Sequence, residues 1–311
     1  MKILLTTNKT YRGLPDLGEW YLNQPLTELG HEVYWYDTVN PEMKDYKKII
    51  ENFKPDLIFS CLTGNRAITP YEPWDEIQEE TKSGRTKTFN WFCDDTWRFE
   101  SPDPSSPVSG SRKTCRVFTA CSTPEPDFVQ KYKDSGYKNI LLATWHANSK
   151  FYSPLPWAKR EHPLLFIGAM NAGRDNFFKR AADRGIRLDA ASGMPNEQMF
   201  ELHSNVKIGI NMSINFNDPL NRSQMKQRVF EIAAGRGMMF SQYHKGIEEF
   251  FEIDKEVVMF KTPDEFASKA KFLTENDSVA AKIAEKGHER FLAEHDSKVR
   301  LSKLLKQIKE I

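Results

Sequence analysis

At 311 residues with 39% apolar content, the chain is long enough to bury two ordinary cores, and the usual size of a domain makes two the natural expectation. Lysine plus arginine (44) nearly cancels aspartate plus glutamate (43), so no global field draws the protein to nucleic acid or a membrane surface, although a local basic cleft stays possible. Cys61, Cys93, Cys115 and Cys121 show no CxxC spacing and lie in or beside apolar runs, which reads as reduced core residues and neither a zinc site nor a disulfide framework.

The chain opens on MKILLTTNKTYRG, whose apolar run of four residues is too short for a signal-peptide core, and no later segment approaches the length of a membrane span. A cytoplasmic protein is expected. The first half then alternates β-rich runs, at 2–7, 31–37, 56–61, 88–93, 116–121 and 139–143, with helix-compatible spacings at 17–29, 43–53, 73–81 and 124–135. Pro25 falls inside the first helical pattern and should delay, kink or break it.

From Phe151 to His162 the period lapses into FYSPLPWAKREH, which reads as an interdomain connection. Alternation restarts with strands expected at 164–168, 187–190, 207–212, 238–241 and 257–260, and helices near 175–183, 196–203, 224–234, 247–251 and 263–274. Two successive parallel-sheet α/β domains follow, with boundaries set at 1–152, a linker at 153–161, 162–290, and a tail at 291–311 packing back on the first domain.

Open parallel sheets bind ligands beyond the carboxyl ends of their strands, which selects a few loops. Gly168–Asp175 (GAMNAGRD) leaves the first strand of the second domain and enters a helix. Its small residues admit a ligand to the backbone, the helix N-terminus offers N–H groups, and Arg174 can reach a phosphate. It is neither a Walker A loop nor a GxGxxG fingerprint, and an ordinary strand-to-helix turn looks the same. In Gln227–Gly237 (QRVFEIAAGRG), Arg228 and Glu231 share a helix face while Val229, Ile232 and Ala233 supply the buried side. Such a pair suits a nucleotide's phosphate and sugar hydroxyls, or a surface salt bridge of little consequence.

The segment RVFEIAAGRGMMFSQYHKGIEEFFEIDKEVVMFKTPDEFASKAKFLTEN resembles the donor domain of CgeB-like (spore-maturation-type) glycosyltransferases, in order and spacing over some fifty residues. LTELGHEVYWYD, NWFCDDTW and KNILLATWHANSKFY resemble, more loosely, the acceptor half of the same GT-B architecture. The resemblance implies two Rossmann-like domains with a cleft between them and a helical C-terminal tail. It also implies a nucleotide-sugar donor held by the second domain, an acceptor held by the first, and no metal or other cofactor. UDP-sugar is the first donor to try. Donor contacts would come from Gly168, Asn171, Arg174, Asn211, Arg228 and Glu231, with Glu231 on the ribose and Arg228 and Arg174 on the diphosphate. Many related retaining enzymes carry a second glutamate eight residues before this one; here that position is Ser223.

For the base that takes the acceptor's proton, Asp94 and Asp95 follow a strand end, and an Asp-Asp pair capping the next turn reads equally well; His146 is the other candidate. Asn8, Tyr11, Arg12 and Gly13, after the first strand, are placed on the acceptor or sugar side. The acceptor class stays open among glycan, small molecule, protein and modified nucleic-acid base. A nucleotide-sugar epimerase and a catalytically silent binding protein are the competing readings, since fold alone does not establish activity.

Overall fold

The computed structural model describes residues 1–11, 13–100, 110–215, 218 and 220–311. They divide into two compact units, Met1–Thr144 with Arg300–Ile311, and Trp145–Val299.

The first unit is built on six parallel strands: β1 (Lys2–Thr7), β2 (Glu32–Asp37), β3 (Leu57–Ser60), β4 (Lys87–Trp91), β5 (Ala120–Thr123) and β6 (Ile140–Leu142). Their order is β2-β1-β3-β4-β5-β6. The strands β3 and β5 are buried along their whole length, as expected for a parallel sheet covered on both faces. The helices between them are α1 (Gln24–Glu28), α2 (Tyr46–Phe53), α3 (Trp74–Ser83) and α4 (Pro126–Asp134). Asp45 caps α2 by accepting from the Lys48 N–H at 3.1 Å, and Gly84, at φ +69°, ends α3 in the left-handed conformation. Around Pro25 the chain makes a π-helical turn over Glu19–Asn23 and only then an α-turn, so the proline sits at the start of α1, where its missing N–H costs nothing.

The strand expected at 116–121 begins only at Ala120. Cys115–Val117 is instead a 3₁₀ turn closed by the Phe118 N–H on the Cys115 carbonyl.

The second unit has five parallel strands, β7 (His162–Ile167), β8 (Asp189–Ala191), β9 (Val206–Asn211), β10 (Met238–Gln242) and β11 (Val257–Phe260), in the order β8-β7-β9-β10-β11. Its helices are α5 (Ala172–Ala182), α6 (Asn196–Ser204), α7 (Arg228–Ala234), α8 (Pro263–Glu275) and α9 (Asp277–Arg290). One face of the sheet carries an aromatic cluster in which Phe240 lies 4.7 Å from Phe260 and 5.1 Å from Phe266 between ring centroids. Two spans are shorter than the sequence pattern suggests. The helix expected over 224–234 starts at Arg228, because the Gln224 N–H is bonded to the Ser213 carbonyl, and 247–251 forms only a 3₁₀ turn, Ile247–Glu249.

The last helix, α10 (Ser297–Glu310), buries Leu301, Leu304, Leu305 and Ile308. In the first unit, Lys87 at the start of β4 donates its ammonium to the carbonyls of Ile308 (3.3 Å) and Lys309 (2.7 Å), closing the end of α10. Among the described residues no helix is long and apolar enough to cross a membrane. All four cysteines are free thiols, Cys115 and Cys121 buried and Cys61 and Cys93 half-buried.

Candidate functional site

In the second sheet, β8 lies on one side of β7 and β9 on the other, so the strand order reverses between β7 and β9. A crevice at the carboxyl ends of such a pair is where open α/β sheets receive ligands. Arg228, the first residue of α7, fills that position. Its Nε donates to the Ile167 carbonyl at the end of β7, and a terminal nitrogen reaches Asn211 Oδ1 at the end of β9 at 3.3 Å. The Asn211 amide is in turn fixed by donating to Ser241 Oγ at 2.9 Å. The Arg228 guanidinium lies over the Phe166 ring, 4.7 Å from its centroid.

The loop after β7 brings a second guanidinium to the same ring. Asn171 caps α5 by accepting from the Arg174 N–H at 3.0 Å, which starts the helix beside the strand end and leaves the Ala172 and Gly173 N–H groups without intrahelical partners. Arg174 donates to the Ala169 carbonyl at 2.5 Å and lies 5.4 Å from the Phe166 centroid, while its buried Nε has no hydrogen-bond partner. Gly168, at φ +153°, is the residue that lets the two meet: a Cβ there would overlap the Arg228 guanidinium. Among the described residues no carboxylate lies within ion-pair distance of either arginine. Burial, and then the charge of Arg174, push Arg228 down to about 10, so two cations repel each other on one apolar ring. An anion placed between them would relieve that repulsion.

Glu231 and Arg228 do not form the surface pair that their spacing allowed. Glu231 is buried, and its Oε2 faces His203 Nε2 at 3.7 Å. His203, near the end of α6, is 2% exposed, and burial with the nearby Arg228 charge lowers it to about 3, so it is neutral at pH 7. Gly235, which follows α7, is required by close packing here, since a Cβ would collide with the His203 carbonyl. Gly209 has the same role beneath α7, facing Ile232. Gly168, Asn171, Arg174, Asn211 and Arg228 therefore converge at the carboxyl ends of β7 and β9, while Glu231 turns into the interior against His203.

In the first unit the residues separate. Asp95 points inward, 1% exposed, and its Oδ1 accepts from Ser111 Oγ at 2.6 Å and Tyr132 Oη at 2.8 Å. Asp94 precedes the helical turn Asp95–Arg98, lies 3.8 Å from Arg98 Nε, and lines a small open pocket of about 30 Å³ with Thr63, Trp74, Cys93, Asp95 and Arg98. His146 belongs to the second unit, buried, with Nδ1 2.8 Å from Ser297 Oγ. Asn8 ends β1 and donates to the Thr10 carbonyl at 3.2 Å; Tyr11 is exposed, and Gly13 turns the short hairpin at φ +79°. Arg12 lies outside the described residues. Among the described residues no three His, Cys, Asp or Glu side chains converge as a metal-ion site.

A profile described as "Glycosyl transferase-like" matches residues 151–306, half of the chain. The chain belongs to this glycosyl transferase-like family. No curated protein matches it. Among solved structures, the sucrose-phosphate synthase of Thermosynechococcus elongatus aligns over 99% of both chains at a TM-score of 0.67 and 10% identity. AviGT4, a glycosyltransferase of avilamycin A biosynthesis, aligns over 99% of this chain and 97% of its own at 0.65 and 14% identity. Anabaena HepE in complex with UDP-glucose aligns over 100% of both chains at 0.61 and 11% identity. The two parallel-sheet units and these likenesses make the fold GT-B.

Two residues of this glycosyl transferase-like chain went unassigned from the sequence. Phe166, the platform under both guanidiniums, is one of a run of apolar residues in β7 and carries no mark of a site. His203 lies three residues after Phe200 and both are buried, a spacing that carries no sign of Glu231 as its neighbour.

Proposed function

We propose that this protein transfers a sugar from a nucleotide-sugar donor to a hydroxyl acceptor. The donor's diphosphate would be held by Arg228, Arg174 and the N-terminus of α5, and its ribose by Glu231. The observation that carries this reading is the pair of guanidiniums stacked on Phe166, with no carboxylate at ion-pair distance among the described residues, at the point where the strand order reverses. As the bond from the anomeric carbon to the diphosphate oxygen breaks, its electron pair leaves on the nucleotide. Fixed cations and helix N–H groups offset that charge, which makes a divalent metal unnecessary. The likeness to a structure holding UDP-glucose makes a UDP-hexose the first donor to test. Within the family, the CgeB-like branch is the assignment we favour, on the run from Arg228 to Asn276.

On the acceptor's side, Asp94 is the carboxylate proposed to take the hydroxyl proton as the new bond to the anomeric carbon forms. Its side chain is 31% exposed, whereas Asp95 is buried and committed to Ser111 and Tyr132.

Calorimetry with UDP-, GDP-, ADP- and dTDP-sugars, paired with donor-hydrolysis assays, tests the reading. At least one donor is expected to bind, and Arg228→Gln is expected to weaken it at least ~10-fold. Failure of every nucleotide to bind would sink it. One observation favours a second reading, a silent binding protein: Ser223 stands where many relatives have glutamate, and its Oγ is 3.1 Å from His244 Nδ1. Tight nucleotide binding without turnover on any acceptor would select that alternative.

A further inference from the structure

We infer that His203 is a positioning residue for Glu231, its buried imidazole orienting the carboxylate that would meet the donor's ribose hydroxyls. This rests on the donor-site reading above and names a residue that reading does not need.

The inference starts from an unusual polar environment. His203 is 2% exposed, and neither ring nitrogen has a hydrogen-bond partner among the described residues. Buried polar groups are nearly always paired, so a residue that leaves two nitrogens unmatched in the interior calls for an explanation. Glu231 Oε2 lies 3.7 Å from Nε2, in polar contact though longer than a hydrogen bond. The neutral ring carries one N–H, and the carboxylate favours the tautomer that points it at Glu231. Burial and Arg228 hold the ring uncharged, so the contact orients Glu231 without neutralising it.

The placement is rigid. The His203 carbonyl packs against Gly235, where no Cβ fits, and the ring lies 6.4 Å from that of Tyr152, which in turn lies 5.2 Å from Phe200. A carboxylate whose direction is set before the ligand arrives meets an incoming pair of hydroxyls at lower entropic cost.

The test is calorimetry on the full-length chain with three probes: UDP, 2′,3′-dideoxy-UDP and inorganic pyrophosphate. His203→Phe keeps the ring volume and removes the nitrogens; His203→Gln keeps a side-chain N–H. We expect His203→Phe to lose about tenfold on UDP and to keep wild-type affinity for pyrophosphate. The preference for UDP over its dideoxy analogue should shrink accordingly, and His203→Gln should recover part of it. Equal losses on UDP and pyrophosphate would mean a merely structural role and overturn the inference, as would an unchanged preference in His203→Phe. If His203→Phe does not fold, His203→Gln decides by the same ratio, with full loss of preference overturning the idea of a donated N–H. Wild-type protein that binds none of UDP, GDP, ADP and dTDP better than pyrophosphate would overturn the donor-site reading itself and this inference with it; if one of the other three binds better than UDP, it and its dideoxy analogue replace the UDP pair.

Discussion

Asp95 offers a test that separates a core carboxylate from a catalytic one. It is 1% exposed, and burial raises it from the ordinary 3.8 to about 6, against the lowering effect of its bonds from Ser111 and Tyr132. The sign follows from proton linkage. The folded state holds the Asp95 proton more tightly than the unfolded chain between about pH 4 and 6, so stability from this group is greatest in acid and is lost as pH rises through 6. A shift of about two units corresponds to about 3 kcal/mol. Asp95→Asn removes the charge and keeps an oxygen able to accept from both hydroxyls. The shift of about two units is already the net of desolvation and those bonds, so at pH 7.5 the variant should be more stable than wild type by up to about 3 kcal/mol. Urea denaturation of both proteins from pH 4 to 8, following the transition of the first unit, gives the comparison. The advantage of Asp95→Asn should fall by about 3 kcal/mol on going to pH 4. Parallel stability curves, or a variant less stable at pH 7.5 than at pH 4 relative to wild type, would refute the reasoning. Loss of turnover with an unshifted stability profile would restore Asp95 as a base.

Two further outcomes follow from close packing. Gly235→Ala drives a methyl into the His203 carbonyl, and because backbone on both sides must move, we expect a loss of about 2–3 kcal/mol, read as a lowered thermal midpoint. Gly168→Ala meets the movable tip of Arg228 instead. That variant should cost only about 1–2 kcal/mol of stability, mostly from backbone strain at positive φ, while UDP binding by calorimetry falls by about tenfold or more.

Much of the architecture was legible in the sequence because its signals are local. Runs such as LLFI and VVMF, bounded by turn residues and alternating with helical spacings, put all eleven principal strands near their observed positions. The misses came where a tighter local turn or a hydrogen bond from outside the segment competes with propensity. Cys115–Val117 curls into a 3₁₀ turn, and residues 224–227 are held out of α7, where the Gln224 N–H is bound to Ser213. That Gly168, Asn171, Arg174, Asn211 and Arg228 lie together was legible, since strand-end position narrows the choice. What Glu231 faces was not, because His203 lies 28 residues away and shares no motif with it.

The sequence by itself determined two α/β units, the order of their elements and the segments that end at sheet edges, because period, turn chemistry and capping act over a few residues. Tertiary structure alone decided the rest. It turned Asp95 into the core and left Asp94 partly exposed, although the two are adjacent and chemically identical. It set Arg174 and Arg228, 54 positions apart, over one phenylalanine, and it placed a neutral histidine behind Glu231. Burial and proximity across the sheet fix the charge, the direction and the partners of such groups, and neither is written in local spacing.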